Sequence, residues 1–88
     1  MPLVSLIIGS ESDRPIGDKI RDLLRGFGIE VEYMVISAHR APDELRKYVK
    51  ESRAEVFIAV AGLSAALPGA IASATIKPVI GVPREVKL

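Results

Sequence analysis

The chain has 88 residues, 49% of them hydrophobic, with 12 Lys and Arg against 11 Asp and Glu. That is one domain at most, with material for a modest core and a reason to associate, and a formal net charge of +1 leaves no electrostatic footprint for nucleic acid. There is no cysteine and one histidine, His39, which excludes disulfides, thiolate metal sites and histidine-rich metal centres.

Leu3-Val4-Ser5-Leu6-Ile7-Ile8 is short, largely apolar and stops at Gly9, as a strand buried on both faces does. Ile16, Ile20, Leu23, Leu24 and Phe27 then fall at helical spacing, with Asp18, Lys19, Arg21, Asp22 and Arg25 on the other side. Ser12 or Asp13 is placed to cap this helix, Pro15 suits its first turn, and Gly26 and Gly28 end it. Ile29, Val31, Tyr33 and Val35 alternate with Glu30, Glu32 and Met34, which predicts a strand with one wetter face near a sheet edge. A second helix starts near Pro42, with Asp43 and Glu44 in its first turn, Lys50 and Arg53 near its end, and a core stripe of Leu45, Tyr48 and Val49. Val56 to Val60 is a third apolar strand. Ser64 then caps a helix of small residues through about Ala74, which tolerates Pro68 early and is weakened by Gly69. Val79 to Val82 is a fourth strand. No basic segment precedes a signal-type apolar stretch and no apolar run spans a bilayer, so the expectation is a soluble, cytoplasmic protein with no membrane partner.

The order βαβαβαβ predicts an α/β domain over residues 1–88, with a parallel sheet of about four strands and helices on both faces. No helix follows the fourth strand. The layer sandwich is therefore expected to be incomplete, with an exposed edge and an uncovered face that invite association.

Three loops follow strand C-termini and belong on one side of such a sheet: Gly9-Ser10-Glu11-Ser12-Asp13, Ser37-Ala38-His39-Arg40, and Ala61-Gly62-Leu63-Ser64. In a flavodoxin-like order they converge at the topological switch point, where ligands bind. The hydroxyls and amides of the first loop suit phosphate, and Asp13 suits ribose hydroxyls; the same Ser12 and Asp13 also serve as plain helix caps. In the second loop, His39 is a group that exchanges protons near neutrality and Arg40 is a fixed cation suited to phosphate or carboxylate. A lone histidine is more often structural, but this one stands where the fold puts chemistry. The small residues of the third loop either let a ligand approach the backbone or let a helix pack on the sheet.

Four segments, taken together, resemble the PurE family. They are Gly9 to Asp13, Ser37-Ala38-His39-Arg40-Ala41-Pro42, Ala61-Gly62 with Leu67-Pro68-Gly69, and Lys77-Pro78-Val79-Ile80-Gly81-Val82-Pro83. They occur in family order and spacing and cover essentially the whole chain, which corresponds to the N-terminal half, or slightly more, of a family member. The resemblance implies a flavodoxin-like three-layer αβα fold and a role in de novo purine synthesis. The activity would be that of N5-carboxyaminoimidazole ribonucleotide mutase or, in another class, aminoimidazole ribonucleotide carboxylase. It further implies an enzyme without cofactor or metal, acting on aminoimidazole ribonucleotide, its carboxylated forms and carbon dioxide, and assembled as a homo-oligomer, typically an octamer.

Carried over by residue, Ser10 and Asp13, with Ser12 beside them, would hold the ribose phosphate portion. Ser37 and Arg40 would bind the phosphate. His39 would be the general acid and base, and Ala61, Gly62 and Leu63 would wall the pocket near the imidazole and carbon dioxide. Two departures from the family stand out. Many members carry a histidine before Leu-Pro-Gly where this chain has Ala66, which removes a polar group near the reacting carboxylate and lowers the expected turnover. Family chains also continue well beyond the strand ending at Val82, so the chain reads as truncated. The alternative function is a catalytically impaired ribonucleotide-binding or oligomer-scaffold remnant.

Overall fold

A computed structural model describes residues 2–62 and 66–84. The elements in chain order are β1 (Leu3–Ile8), a 3₁₀ turn (Glu11–Asp13), α1 (Arg14–Gly26), β2 (Glu30–Val35), α2 (Pro42–Glu51), β3 (Val56–Ala61), α3 (Ala66–Ala72) and β4 (Val79–Pro83). The strands form one parallel sheet in the order β2-β1-β3-β4. This is the predicted α/β architecture: the wetter strand β2 lies at one edge, and β1 and β3 are neighbours at the centre.

Alternation along the central strands sends side chains to two separate cores. Val4, Leu6, Ile8, Ile58 and Val60 meet Ile16, Ile20 and Leu24 of α1 on one face. Ile7, Phe57, Ala59 and Ala61 meet Leu45 and Val49 of α2 and Leu67 and Ile71 of α3 on the other. One helix does not cover four strands, and Ile80 of β4 is left 52% exposed, as the incomplete sandwich predicts.

Gly17 lets α1 lie close to the sheet. A Cβ there would stand 2.9 Å from Ile8 Cγ2 and would collide with the Tyr33 hydroxyl. The end of α1 is a Schellman turn: the Gly28 N–H donates to the Arg25 carbonyl and the Ile29 N–H to the Leu24 carbonyl. Gly28 takes the left-handed conformation this turn requires, with φ +78°.

Two residues assigned to the α1 core stripe are not in it. Leu23 is 62% exposed and Phe27 75% exposed. The packed stripe runs Ile16, Ile20, Leu24 at four-residue steps, and Leu23 stands about 60° from Ile20 around the helix, on the side away from Leu24. Phe27 already lies at the C-cap, where the chain turns away. The third helix ends at Ala72 rather than Ala74, because the Ala74 N–H turns back to the Ile71 carbonyl in a tighter final turn. Ser64, its expected cap, lies outside the described residues.

Polar residues inside the α2 face are satisfied in a chain. Ser5, fully buried in β1, shares a hydrogen bond with the Tyr48 hydroxyl, which donates to Glu32 Oε1 at 2.6 Å; Ser52 Oγ donates to the same oxygen at 2.8 Å. Burial, and then the Glu32 carboxylate beside it, push the Tyr48 hydroxyl up to about 12. On the α1 side, Tyr33 donates to Asp18 Oδ1 at 2.8 Å, and its ring lies 5.0 Å from the Arg14 guanidinium and 5.4 Å from that of Arg21. Its hydroxyl is also raised, chiefly by burial and then by Asp18.

Candidate active site

Parallel strands deliver their C-terminal loops to one rim of the sheet, and two of the three predicted loops lie there within the described residues, with the start of the third. They enclose a cavity of about 150 Å³ lined by Ser10, Asp13, Ser37, His39, Ala61 and Gly62, with an apolar wall of Val60, Ala66 and Leu67. A wider cleft continues outward past Ser10, Glu11, Ser12, Ser37, His39 and Arg40. The structure thus gathers Ser10, Asp13, Ser37, His39, Ala61 and Gly62 around the inner cavity and places Ser12 and Arg40 at its mouth. Leu63 lies outside the described residues.

Local bonds hold the loops in shape. In the second, Ser37 Oγ accepts the Arg40 N–H at 3.1 Å and the Ser37 carbonyl accepts the Ala41 N–H at 3.0 Å. This closes the turn that presents His39 and Arg40, both exposed, and it uses the Ser37 hydroxyl as an acceptor, so its own hydrogen remains available to a ligand. In the first loop, Ser10 Oγ and Ser12 Oγ are 2.6 Å apart.

Asp13 stands at the N-cap of α1, yet its side chain makes no cap bond. The capping role assigned to Ser12 or Asp13 is therefore not the one Asp13 performs. Its buried carboxylate is drawn instead to Arg84, whose Nη1 donates to Asp13 Oδ1 at 2.9 Å and to Ser12 Oγ at 3.1 Å. Arg84 was not among the residues singled out from the sequence. The signal was present: it follows β4 directly and so falls at a strand C-terminus.

The charges at the mouth are partly spent on one another. Glu11 is bonded by Arg14 at 2.7 Å, which holds its carboxyl below the usual carboxylate range. Asp13 is paired with Arg84. Among the described residues, both carboxylates bordering the cleft thus have an arginine partner, which leaves Arg40 to give the mouth its sign. No three His, Cys, Asp or Glu side chains among the described residues gather to hold a metal ion. No helix among them is long and apolar enough to cross a membrane. The arrangement suits a small molecule with an anionic group at the mouth and a flat, less polar part inside, next to an imidazole.

Comparison with known proteins identifies the family. The family described as AIR carboxylase matches residues 3–88. An N5-carboxyaminoimidazole ribonucleotide mutase of Methanocaldococcus jannaschii is 52% identical over 98% of this chain and 55% of its own length. One from Thermotoga maritima is 49% identical over 94% of this chain and 50% of its own. The crystal structure of Treponema denticola PurE superposes with a TM-score of 0.83 at 32% identity, over 98% of this chain and 57% of that one. The chain spans about half the length of the curated relatives it matches. On this breadth of agreement in sequence and structure, the chain belongs to the AIR carboxylase (PurE) family.

Proposed function

We infer that the chain acts in de novo purine synthesis, in the cytoplasm, as an N5-carboxyaminoimidazole ribonucleotide mutase. The observation that carries this is the convergence of Ser10, Asp13, Ser37 and His39 on one small cavity with Arg40 at its mouth. The ribose phosphate lies along Ser10, Ser12 and Asp13, with its phosphate on Ser37 and Arg40. The imidazole enters toward Ala61 and Gly62. Carbon dioxide leaves the exocyclic nitrogen, is kept beside the ring by the apolar wall, and is attacked by the ring carbon. His39 gives the exocyclic nitrogen a proton as carbon dioxide departs and takes one from the ring carbon after the attack, so the imidazole ends as it began; the reverse direction retraces both transfers. A small, largely apolar wall retains carbon dioxide because it excludes competing water. The proton and the carboxylate both stay with the substrate and the protein, so the step calls for no cofactor. The exposed Ile80 on the β4 edge strand supports assembly of several copies.

The test is carboxylate transfer by purified protein, followed by the absorbance of the carboxylated imidazole. His39→Ala is expected to lower kcat by about a hundredfold or more. Because His39 is exposed, circular dichroism is expected to be unchanged. Wild-type turnover no greater than that of the variant would overturn the reading.

A further inference from the structure

Arg84 is tied to the site from two directions. Its backbone N–H donates to the Ala61 carbonyl at 2.8 Å, one step beyond the pairing of Ala61 with Pro83 that ends the β3–β4 ladder. From there its side chain crosses to the first loop, where Nη1 reaches Asp13 Oδ1 and Ser12 Oγ. Arg84 does not line the cavity; Asp13 does. The Asp13 side chain is only 8% exposed, so its charge has little water to stabilise it and depends on the arginine. An unneutralised carboxylate in the wall would also repel any anionic ligand.

We propose that Arg84 is a positioning residue of this site, which neutralises the buried Asp13 carboxylate from outside the cavity so that the pocket accepts a phosphate-bearing ligand. The ligand's identity rests on the ribonucleotide reading above; the ion pair rests on geometry alone. Removing Arg84 leaves a bare carboxylate beside the ligand. The loss should then fall on the phosphorylated form and vanish when Asp13 is itself replaced by a neutral side chain.

The experiment is calorimetric titration of wild type, Arg84→Gln, Arg84→Lys, Asp13→Asn and the Asp13→Asn/Arg84→Gln double variant. Each is titrated with aminoimidazole ribonucleotide and with the corresponding riboside, and each is first checked for native circular dichroism. Arg84→Gln is expected to weaken the ribonucleotide by about tenfold or more and the riboside far less. Arg84→Lys is expected to recover most of the loss. In the Asp13→Asn background the Arg84→Gln step is expected to have no effect, and this arm carries the test if Arg84→Gln alone does not fold. Equal losses for both ligands would overturn the proposal, and so would a full loss persisting in the double variant, where the carboxylate has been replaced by a neutral amide. Wild-type binding unchanged by Arg84→Gln would overturn it while leaving the ribonucleotide reading intact. Wild type that binds neither ligand would overturn both and leave the ion pair structural.

Discussion

Arg40 sets the sign of the cleft mouth because Glu11 and Asp13 are each occupied by another arginine. Its replacement should therefore act on binding more than on chemistry. On the proposed function, Arg40→Ala is expected to raise KM roughly tenfold or more with kcat little changed, since the charge-assisted contact to phosphate proposed for it would be lost in ground and transition state alike. Steady-state kinetics separates the two parameters. At this scale the second loop was the most legible in the sequence. Ser37, His39 and Arg40 are neighbours in the chain, and the strand before them fixes their position. Asp13 was legible as a residue but ambiguous in role, because a helix start and a ligand wall ask for the same side chain. Its partner Arg84 lies 71 positions away, and the pair exists only because β4 docks beside β3. Nothing local to either residue encodes that contact.

Helix α1 shows what periodicity conveys and what it misses. The buried stripe and the glycine-terminated end follow from spacing and turn chemistry, and both appear in the structure. Leu23 and Phe27 were assigned to the core because an apolar residue near the stripe looks much like one in it; only the position of the sheet distinguishes them. Gly17 is the converse case. In sequence it reads as a weak point inside a helix, whereas in the fold it is the contact surface for Ile8 and Tyr33. Gly17→Ala is expected to lower stability by about 1–3 kcal/mol, because overpacking costs more than the gain in helix propensity. A lower urea midpoint with an unchanged slope would record it. The third helix is shorter than its run of small residues suggests, since such residues carry little periodic signal to mark an end.

The molecule as a whole is two cores separated by one sheet, with a tyrosine anchored to a carboxylate on each side. Both hydroxyls are raised above their ordinary value of 10, that of Tyr48 to about 12. The folded state therefore keeps these protons where the unfolded chain gives them up. The contribution of Tyr48 is fully present below pH 10 and is lost as pH rises from 10 toward 12, and that of Tyr33 is likewise present below pH 10 and declines above it. Urea midpoints are expected to fall across that window, and Tyr48→Phe is expected to flatten the decline. That the strands run parallel was legible from the alternation of elements; the pairing of β3 with β4 also sets the C-terminal end of β4, and so Arg84, on the same rim as His39. The same order gathers the helix-to-strand turns, including exposed Phe27, on the opposite rim. Because the chain has no cysteine, a single thiol introduced at position 27 would be its sole attachment point. The molecule could then be tethered to a surface or carry a fluorophore with the rim that carries His39 facing freely outward.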